Sequence, residues 1–148
     1  MNKKPVKEIA GNISESGNES ASRIMTKISE VTILAAISSR EDLKEKIRKS
    51  KKTFYPVCEG CKENIIGIIH IKEILISVLS DSEIDLKEGL HEPVYFSENS
   101  SISQAYDIFC QSDIGAAFII DKGNNIIGFI TIKDIIKCLL GNLPCNKY

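Results

Sequence analysis

Thr131 and Asp134 stand three residues apart where an apolar run gives way to a helical pattern. A hydroxyl and a carboxylate placed there can do two kinds of chemistry. The carboxylate can accept both hydroxyls of a vicinal diol, and the threonine sits beside free backbone N–H groups that attract phosphate. The same pair is also a plain helix start, with threonine as N-cap and an acid at the third helical position. Ser101 and Gln104 repeat that spacing and read as capping alone. Lys133, between the two candidate residues, is a possible phosphate partner.

Other constellations carry weaker signals. Cys58-Glu59-Gly60-Cys61 has the spacing of a zinc or redox pair. A structural zinc site needs two further ligands, for which there are only His70, His91 and distant cysteines, and a redox pair belongs at a helix start rather than on a hairpin. Two incidental thiols are the preferred reading. Cys110 and Cys138 fall near helix faces and read as small core residues. The run Lys44 to Lys52 reads as a solvated helix face, with a phosphate- or membrane-binding surface as the alternative. The sequence holds no Ser/His/Asp or Cys/His catalytic set, no P-loop and no paired carboxylates on one face, which argues against an enzyme.

The elements that must position Thr131 and Asp134 occur twice. Asn125-Ile126-Ile127-Gly128-Phe129-Ile130-Thr131-Ile132-Lys133-Asp134-Ile135-Ile136 follows Asn64-Ile65-Ile66-Gly67-Ile68-Ile69-His70-Ile71-Lys72-Glu73-Ile74-Leu75 by 61 residues, with eight of twelve positions identical. The first copy has His70, a poor N-cap without the hydroxyl, and Glu73, one methylene longer. Only the copy with Asp134 is expected to form a good site.

In chain order, residues 1–22 are a polar lead-in, where Ile9 and Ile13 suit one amphipathic turn, and it is ordered only if it docks. The β-branched run Val31 to Ile37 predicts a strand, and Ser38 or Ser39 starts a helix with Leu43 and Ile47 inward. Tyr55 to Cys58 and Ile65 to Ile69 predict a hairpin, followed by a helix facing inward through Ile71, Ile74, Leu75, Val78 and Leu79. Residues 81–92 are an acidic, loop-like connection. Val94 to Phe96 then predicts a strand, and Ser101 opens a helix facing inward through Ile102, Ala105, Ile108 and Phe109. A second hairpin, Ala116–Ile120 with Ile126–Ile130, leads to a helix facing inward through Ile132, Ile135, Ile136, Leu139 and Leu140. Gly141 and Pro144 end it. The units are 23–80 and 93–142, followed by a tail over 143–148. Each is β-α-β-β-α and too small to close its own core comfortably, so two packed together form one α+β architecture.

Totals set the outer bounds. The chain has 148 residues, 43% hydrophobic and 26% charged, the profile of a soluble globular protein. A net charge of -1 gives no overall attraction to nucleic acid or anionic lipid, so neither is a default partner. No apolar run approaches the roughly 18 residues that span a bilayer, and the polar start has no signal-peptide core. Five cysteines without a framework suggest reduced thiols and a cytosolic location.

The duplicated pattern resembles a tandem pair of CBS domains, a Bateman module. Ile24-Met25-Thr26, Tyr55-Pro56-Val57, Ile69-His70-Ile71-Lys72, Ala117-Phe118-Ile119-Ile120-Asp121 and Thr131-Ile132-Lys133-Asp134 are similar to the subgroup attached to hemolysin C/CorC and CNNM magnesium and cobalt efflux proteins. The resemblance implies two CBS repeats packed as a pseudo-two-fold pair. It implies an adenine-nucleotide site (ATP, ADP or AMP, with or without Mg²⁺) in which Thr131 and Asp134 hold ribose and phosphates. The strand ends around Ala116, Ala117 and Ile130 would flank the purine, and Thr26 would reach the same pocket. The partners it implies are a second copy of the chain and a membrane cation-transport domain, the module lying at its cytosolic face. The sequence departs from that pattern at Lys27, Phe54, Glu73 and Lys122, and Phe54 stands where an arginine commonly contacts phosphate. A dimerising or scaffolding module with an empty pocket is the alternative.

Overall fold

A computed structural model describes residues 17–80 and 83–141. The expectations for Ile9, Ile13, Pro144 and the 143–148 tail lie outside those residues. In chain order the elements are β1 (Thr26–Lys27), β2 (Leu34–Ala35), α1 (Arg40–Ser50), β3 (Phe54–Cys58), β4 (Ile65–His70) and α2 (Ile71–Leu79), then β5 (Tyr95–Ser97), α3 (Ile102–Cys110), β6 (Ala116–Ile120), β7 (Ile126–Thr131) and α4 (Ile132–Leu139). They divide into two units, residues 32–93 and residues 94 onward together with the segment up to Val31.

In the 32–93 unit the sheet order is β2-β3-β4, with β2 parallel to β3 and β3–β4 an antiparallel hairpin. Leu34, Leu43, Tyr55, Val57, Ile69, Ile74, Ile84 and Leu86 form its aliphatic core. The expected strand over Val31–Ile37 shrinks to two residues. Ile28–Glu30 is a turn of 3₁₀ helix, and beyond Ala35 the backbone turns to other partners. The Ala36 N–H donates to the Cys58 carbonyl, and the Ala36 carbonyl accepts from Leu86 N–H. The acidic connection is therefore not a bare loop. Ile84 and Leu86 are buried, Leu86–Gly89 is a 3₁₀ turn, and His91 bridges Ile68. The signal was present as two aliphatic residues spaced by two among acids.

Helix α1 starts where Ser39 Oγ accepts from Asp42 N–H, satisfying one orphan donor. It ends at Lys51 in the left-handed region. There the buried Tyr55 hydroxyl lies 2.7 Å from Ser50 Oγ and accepts from the Lys52 N–H at 2.9 Å.

The other unit has sheet order β1-β7-β6-β5, with β5 parallel to β6 and the other pairs antiparallel. One sheet face packs against α3 and α4 through Ala117, Ile119 and Ile130 with Ile102, Ala105, Phe109, Ile135 and Leu139. The opposite face carries an aromatic row, with ring centroids 5.9 Å apart for Tyr95–Phe118 and 5.2 Å for Phe118–Phe129. The stretch Arg23–Val31, read above as the start of the first repeat, belongs in space with this unit. Its Thr26 pairs with Phe129 and its Lys27 with Gly128. The end of the lead-in docks as well: the carbonyls of Gly17 and Glu19 accept from the first-turn N–H groups of Ser103 and Ile102.

The two units repeat one another closely. Leu34 pairs with Val57 as Phe96 pairs with Ile119, and both hairpins shift register at equivalent points, Val57/Cys58 and Ile119/Ile120. The helix faces are narrower than the sequence pattern suggested. Leu75, Leu79, Ile108, Ile136 and Leu140 are exposed rather than inward, because each helix meets its sheet along one stripe only. Cys110 is likewise exposed, whereas Cys138 is buried as expected. Cys58 is buried on β3, Cys61 is exposed in the hairpin turn, and both are free thiols.

Candidate functional site

At the end of β7 the chain turns straight into α4, and Thr131 is the residue at the junction. Its backbone is extended, so its side chain can reach forward over the first helical turn. Thr131 Oγ1 accepts from the Asp134 N–H at 3.3 Å, and Asp134 Oδ2 accepts from the Thr131 N–H at 3.0 Å. This is a complete capping box, as is the Ser101/Gln104 pair at the start of α3. The Ile132 N–H donates to the Gly115 carbonyl. Thr131 and Asp134 are half-buried and Lys133 is exposed.

The box uses only part of what the pair has. A hydroxyl that accepts one hydrogen bond still has its own proton to donate, and a carboxylate has two oxygens. The Thr131 O–H and Asp134 Oδ1 take no part in the box. Capping and ligand binding are thus compatible, and capping fixes the rotamers that a ligand would meet.

Strand alternation sorts the remaining candidates. Residues directly opposite on neighbouring strands share a face, and faces alternate along each strand. Thr26, opposite Phe129, therefore lies on the same face as Thr131, two residues further on. As a diagonal neighbour it is roughly 7–8 Å from Thr131. Ala117 and Ile130 are opposite each other on the other face, completely buried in the core against α3 and α4. Their side chains face the core and not the Thr131 side of the sheet; for Ile130, next to Thr131 on β7, alternation alone gives this, while Ala117 needs the register of β6 on β7. Ala116, opposite Thr131, is the small residue on the Thr131 face.

The first repeat builds the same junction differently. His70 is not a poor cap here: its Nδ1 accepts from the Lys72 N–H at 2.9 Å. The ring is held edge-on against Phe54, with centroids 5.0 Å apart. Glu73 packs against Gly89, where an added Cβ would lie 2.9 Å from Glu73 Cβ. We expect His70→Ala to destabilise the protein by about 1 kcal/mol through loss of the cap, read as a lower midpoint in urea. An unchanged midpoint would show that His70 contributes no cap.

Residues 86–141 match the CBS domain family, and the chain carries the paired sheet-and-helix fold of that class. Over its greater length it is similar to the hemolysin C and UPF0053 proteins. The UPF0053 protein in the cps region of Klebsiella pneumoniae is 26% identical over 126 residues, covering 84% of this chain and 39% of that protein. Hemolysin C of Brachyspira hyodysenteriae is 20% identical over 137 residues, covering 93% and 50% respectively. Among solved structures, the CBS domain of the bacterial CNNM/CorC family Mg²⁺ transporter in complex with ATP superposes with a TM-score of 0.81 at 20% identity. That match covers 94% of this chain and 99% of the other. The chain spans from about a quarter to half of the length of the curated relatives it matches. No helix among the described residues is long and apolar enough to cross a membrane.

Proposed function

We propose that the chain is a non-catalytic regulatory module that binds an adenine nucleotide at the β7–α4 junction. The observation that carries this reading is the Thr131/Asp134 box, which leaves a hydroxyl donor and a carboxylate oxygen unused. Asp134 Oδ1 accepts from a ribose hydroxyl, and the Thr131 hydroxyl with Lys133 and the helix start meets phosphate. Thr26 approaches from β1. The solved CBS domain that holds ATP supports the choice of ligand. ATP and AMP share the ribose and the first phosphate that these groups address, and Mg²⁺ accompanies the longer phosphate chain.

Similarity to hemolysin C proteins and to the CBS domain of a Mg²⁺ transporter supports a place beside a cation-transport domain, on the cytosolic side. Nucleotide would act by binding one arrangement of the module better, shifting its population by no more than that differential affinity. Isothermal titration with ATP, ADP and AMP, each with and without Mg²⁺, tests the reading. Absence of heat from all of them would sink it.

A second reading, a dimerising scaffold, is favoured by one observation. Leu75, Ile76 and Leu79 on α2 are 51%, 58% and 83% exposed, an apolar stripe that a second copy would cover. Leu79→Glu should convert a dimer to a monomer in light scattering; a wild-type monomer that nucleotide leaves unchanged removes this reading.

A further inference from the structure

The residues between Lys44 and Lys52 include six bases and a single acid, Glu45. Five of those bases, Lys44, Arg48, Lys49, Lys51 and Lys52, are exposed. Basic residues in a last helical turn complement the helix dipole, which accounts for Arg48 and Lys49. It does not account for Lys51 and Lys52, which lie past the helix. Nor does it account for the way the fold gathers bases from a second element. The chain after α1 is pinned across the start of α2: the Lys52 N–H donates to Tyr55 Oη, and the Thr53 carbonyl accepts from the Ile71 N–H at 2.7 Å. Exposed Lys72 thereby joins the end of α1, and half-buried Phe54 lies between them on β3, paired with His70.

Most acids near these bases are tied up or lie elsewhere, the exception being exposed Glu41, which stands beside Lys44 and Arg48 on α1. Glu45 is bound to Lys49 at 3.1 Å, and Asp42 to Lys46 at 3.3 Å, one turn closer to the helix start. Glu73 packs against Gly89. Glu59 and Glu63 stand in the hairpin turn at the far end of β3, and Glu59 pairs with Lys87. Among the described residues, Lys44, Arg48, Lys51 and Lys52 form no ion pair. One end of the unit is thus basic and the other mixed.

We infer that this basic end is a docking surface for a bilayer rich in anionic phospholipid headgroups. Exposed lysine and arginine side chains spread over the end of α1, the segment beyond it and the start of α2 suit an extended charged plane. A single small anion needs convergent donors in a concave site. A nucleic-acid strand would be held by aromatic platforms in a basic groove; the net charge of -1 bears equally on both polyanions, so any attraction comes from this local cluster. A cluster of four to eight bases on an amphipathic helix is the size that anionic membranes retain, and the attraction fades with ionic strength. The inference rests on the functional reading above only in expecting a membrane nearby.

The test is co-sedimentation of the full chain with vesicles of phosphatidylcholine containing phosphatidylserine, and with phosphatidylcholine alone, at low and high salt. We expect binding to the mixed vesicles only, released by high salt. Each base near the surface contributes roughly five-fold, so R48E/K51E/K52E should lose binding by about a hundred-fold or more. Circular dichroism checks that this exposed triple variant is folded. Wild-type binding that is absent, equal on both vesicles, or undiminished in the folded variant overturns the inference. Release by inorganic phosphate at constant ionic strength would also overturn it, assigning the bases to a small-anion site. Should the triple variant misfold, K44E with K72E makes the same comparison at other positions, one on α1 and one on α2. The two readings fail separately: Asp134→Ala should keep vesicle binding, and R48E/K51E/K52E should keep the heat of ATP binding.

Discussion

Asp134→Ala is expected to weaken adenine-nucleotide binding about ten- to a hundred-fold, the equivalent of one charge-assisted hydrogen bond of roughly 1.5–3 kcal/mol. The same change removes the acceptor for the Thr131 N–H and so shortens the capping box that starts α4. A fall in stability of about 1 kcal/mol should accompany it, which means that lost binding by itself does not identify a ligand contact. Asp134→Asn separates the two roles. An amide oxygen can still accept from the Thr131 N–H, so the helix start should survive with a small loss. The negative charge and one of the two acceptors are gone, so nucleotide affinity should fall nearly as far as in the alanine variant. Thermal unfolding and titration calorimetry on both variants give the result directly. If both bind nucleotide like the wild type, Asp134 is a cap and nothing more.

The second large effect is expected at Gly128, the glycine of the duplicated Ile-Ile-Gly motif. Strand β1 crosses it so closely that an added Cβ would overlap Met25 Sδ, and would lie 2.7 Å from Met25 Cγ and 3.0 Å from the Thr26 carbonyl oxygen. Gly128→Ala therefore forces Met25 or the β1 backbone aside. Overpacking of this kind costs about 1–3 kcal/mol, and for a chain of this size each kcal/mol lowers Tm by roughly 2–4 °C. Met25→Ala made in the Gly128→Ala background should recover part of the loss, a coupling that a double-mutant cycle measures. Additive losses would show that the strand does not bear on the glycine. Thr26 rides on the same strand, so Gly128→Ala should also weaken nucleotide binding while leaving the Thr131/Asp134 box intact. Gly67 meets a comparable neighbour, with the His91 carbonyl oxygen 2.7 Å from its added Cβ. The glycine is therefore a requirement of both repeats.

Much of this fold was legible because it is written twice. Two copies of the same twelve residues, each passing from strand alternation to helical spacing, made the hairpins and the helices after them readable almost to their ends. Gly141 has the positive φ of 68° expected of a residue closing α4. What the sequence hid falls into three physical kinds. The register of β1 on β7 is a pairing across about a hundred residues, and nothing local marks Thr26 as a partner of Phe129. The register of β6 on β7 is likewise hidden, so Ala117 could not be given a side of the sheet, whereas Ile130 adjoins Thr131 on β7 and alternation alone sends it to the opposite face. Last, the width of an apolar helical arc does not say how much of it the sheet covers, which is why Leu79 and Ile108 read as core and are exposed. At the candidate site the residue types and spacing of Thr131 and Asp134 were plain. Their reciprocal hydrogen bonds, and the atoms those bonds leave over, required coordinates. His70 shows the opposite case, since capping preferences favour hydroxyls and acids but an imidazole nitrogen at 2.9 Å does the same work.

The segment ahead of each repeat in sequence serves the sheet that ends the other one. Thr26 and Lys27 extend the sheet of β7, and His91 bridges β4. A gene cut in the acidic connection, the natural place to separate two halves of a duplication, would therefore sever both arrangements. The N-terminal fragment would keep Thr26 and Lys27 without their partner strand and lose Ile84 and Leu86 from its core. The C-terminal fragment would lose the outer strand of its sheet and the carbonyls of Gly17 and Glu19 that close the start of α3. Sequence halves and folding halves are different objects in this chain: the 32–93 unit is continuous, and only the uncut polypeptide contains the other unit whole.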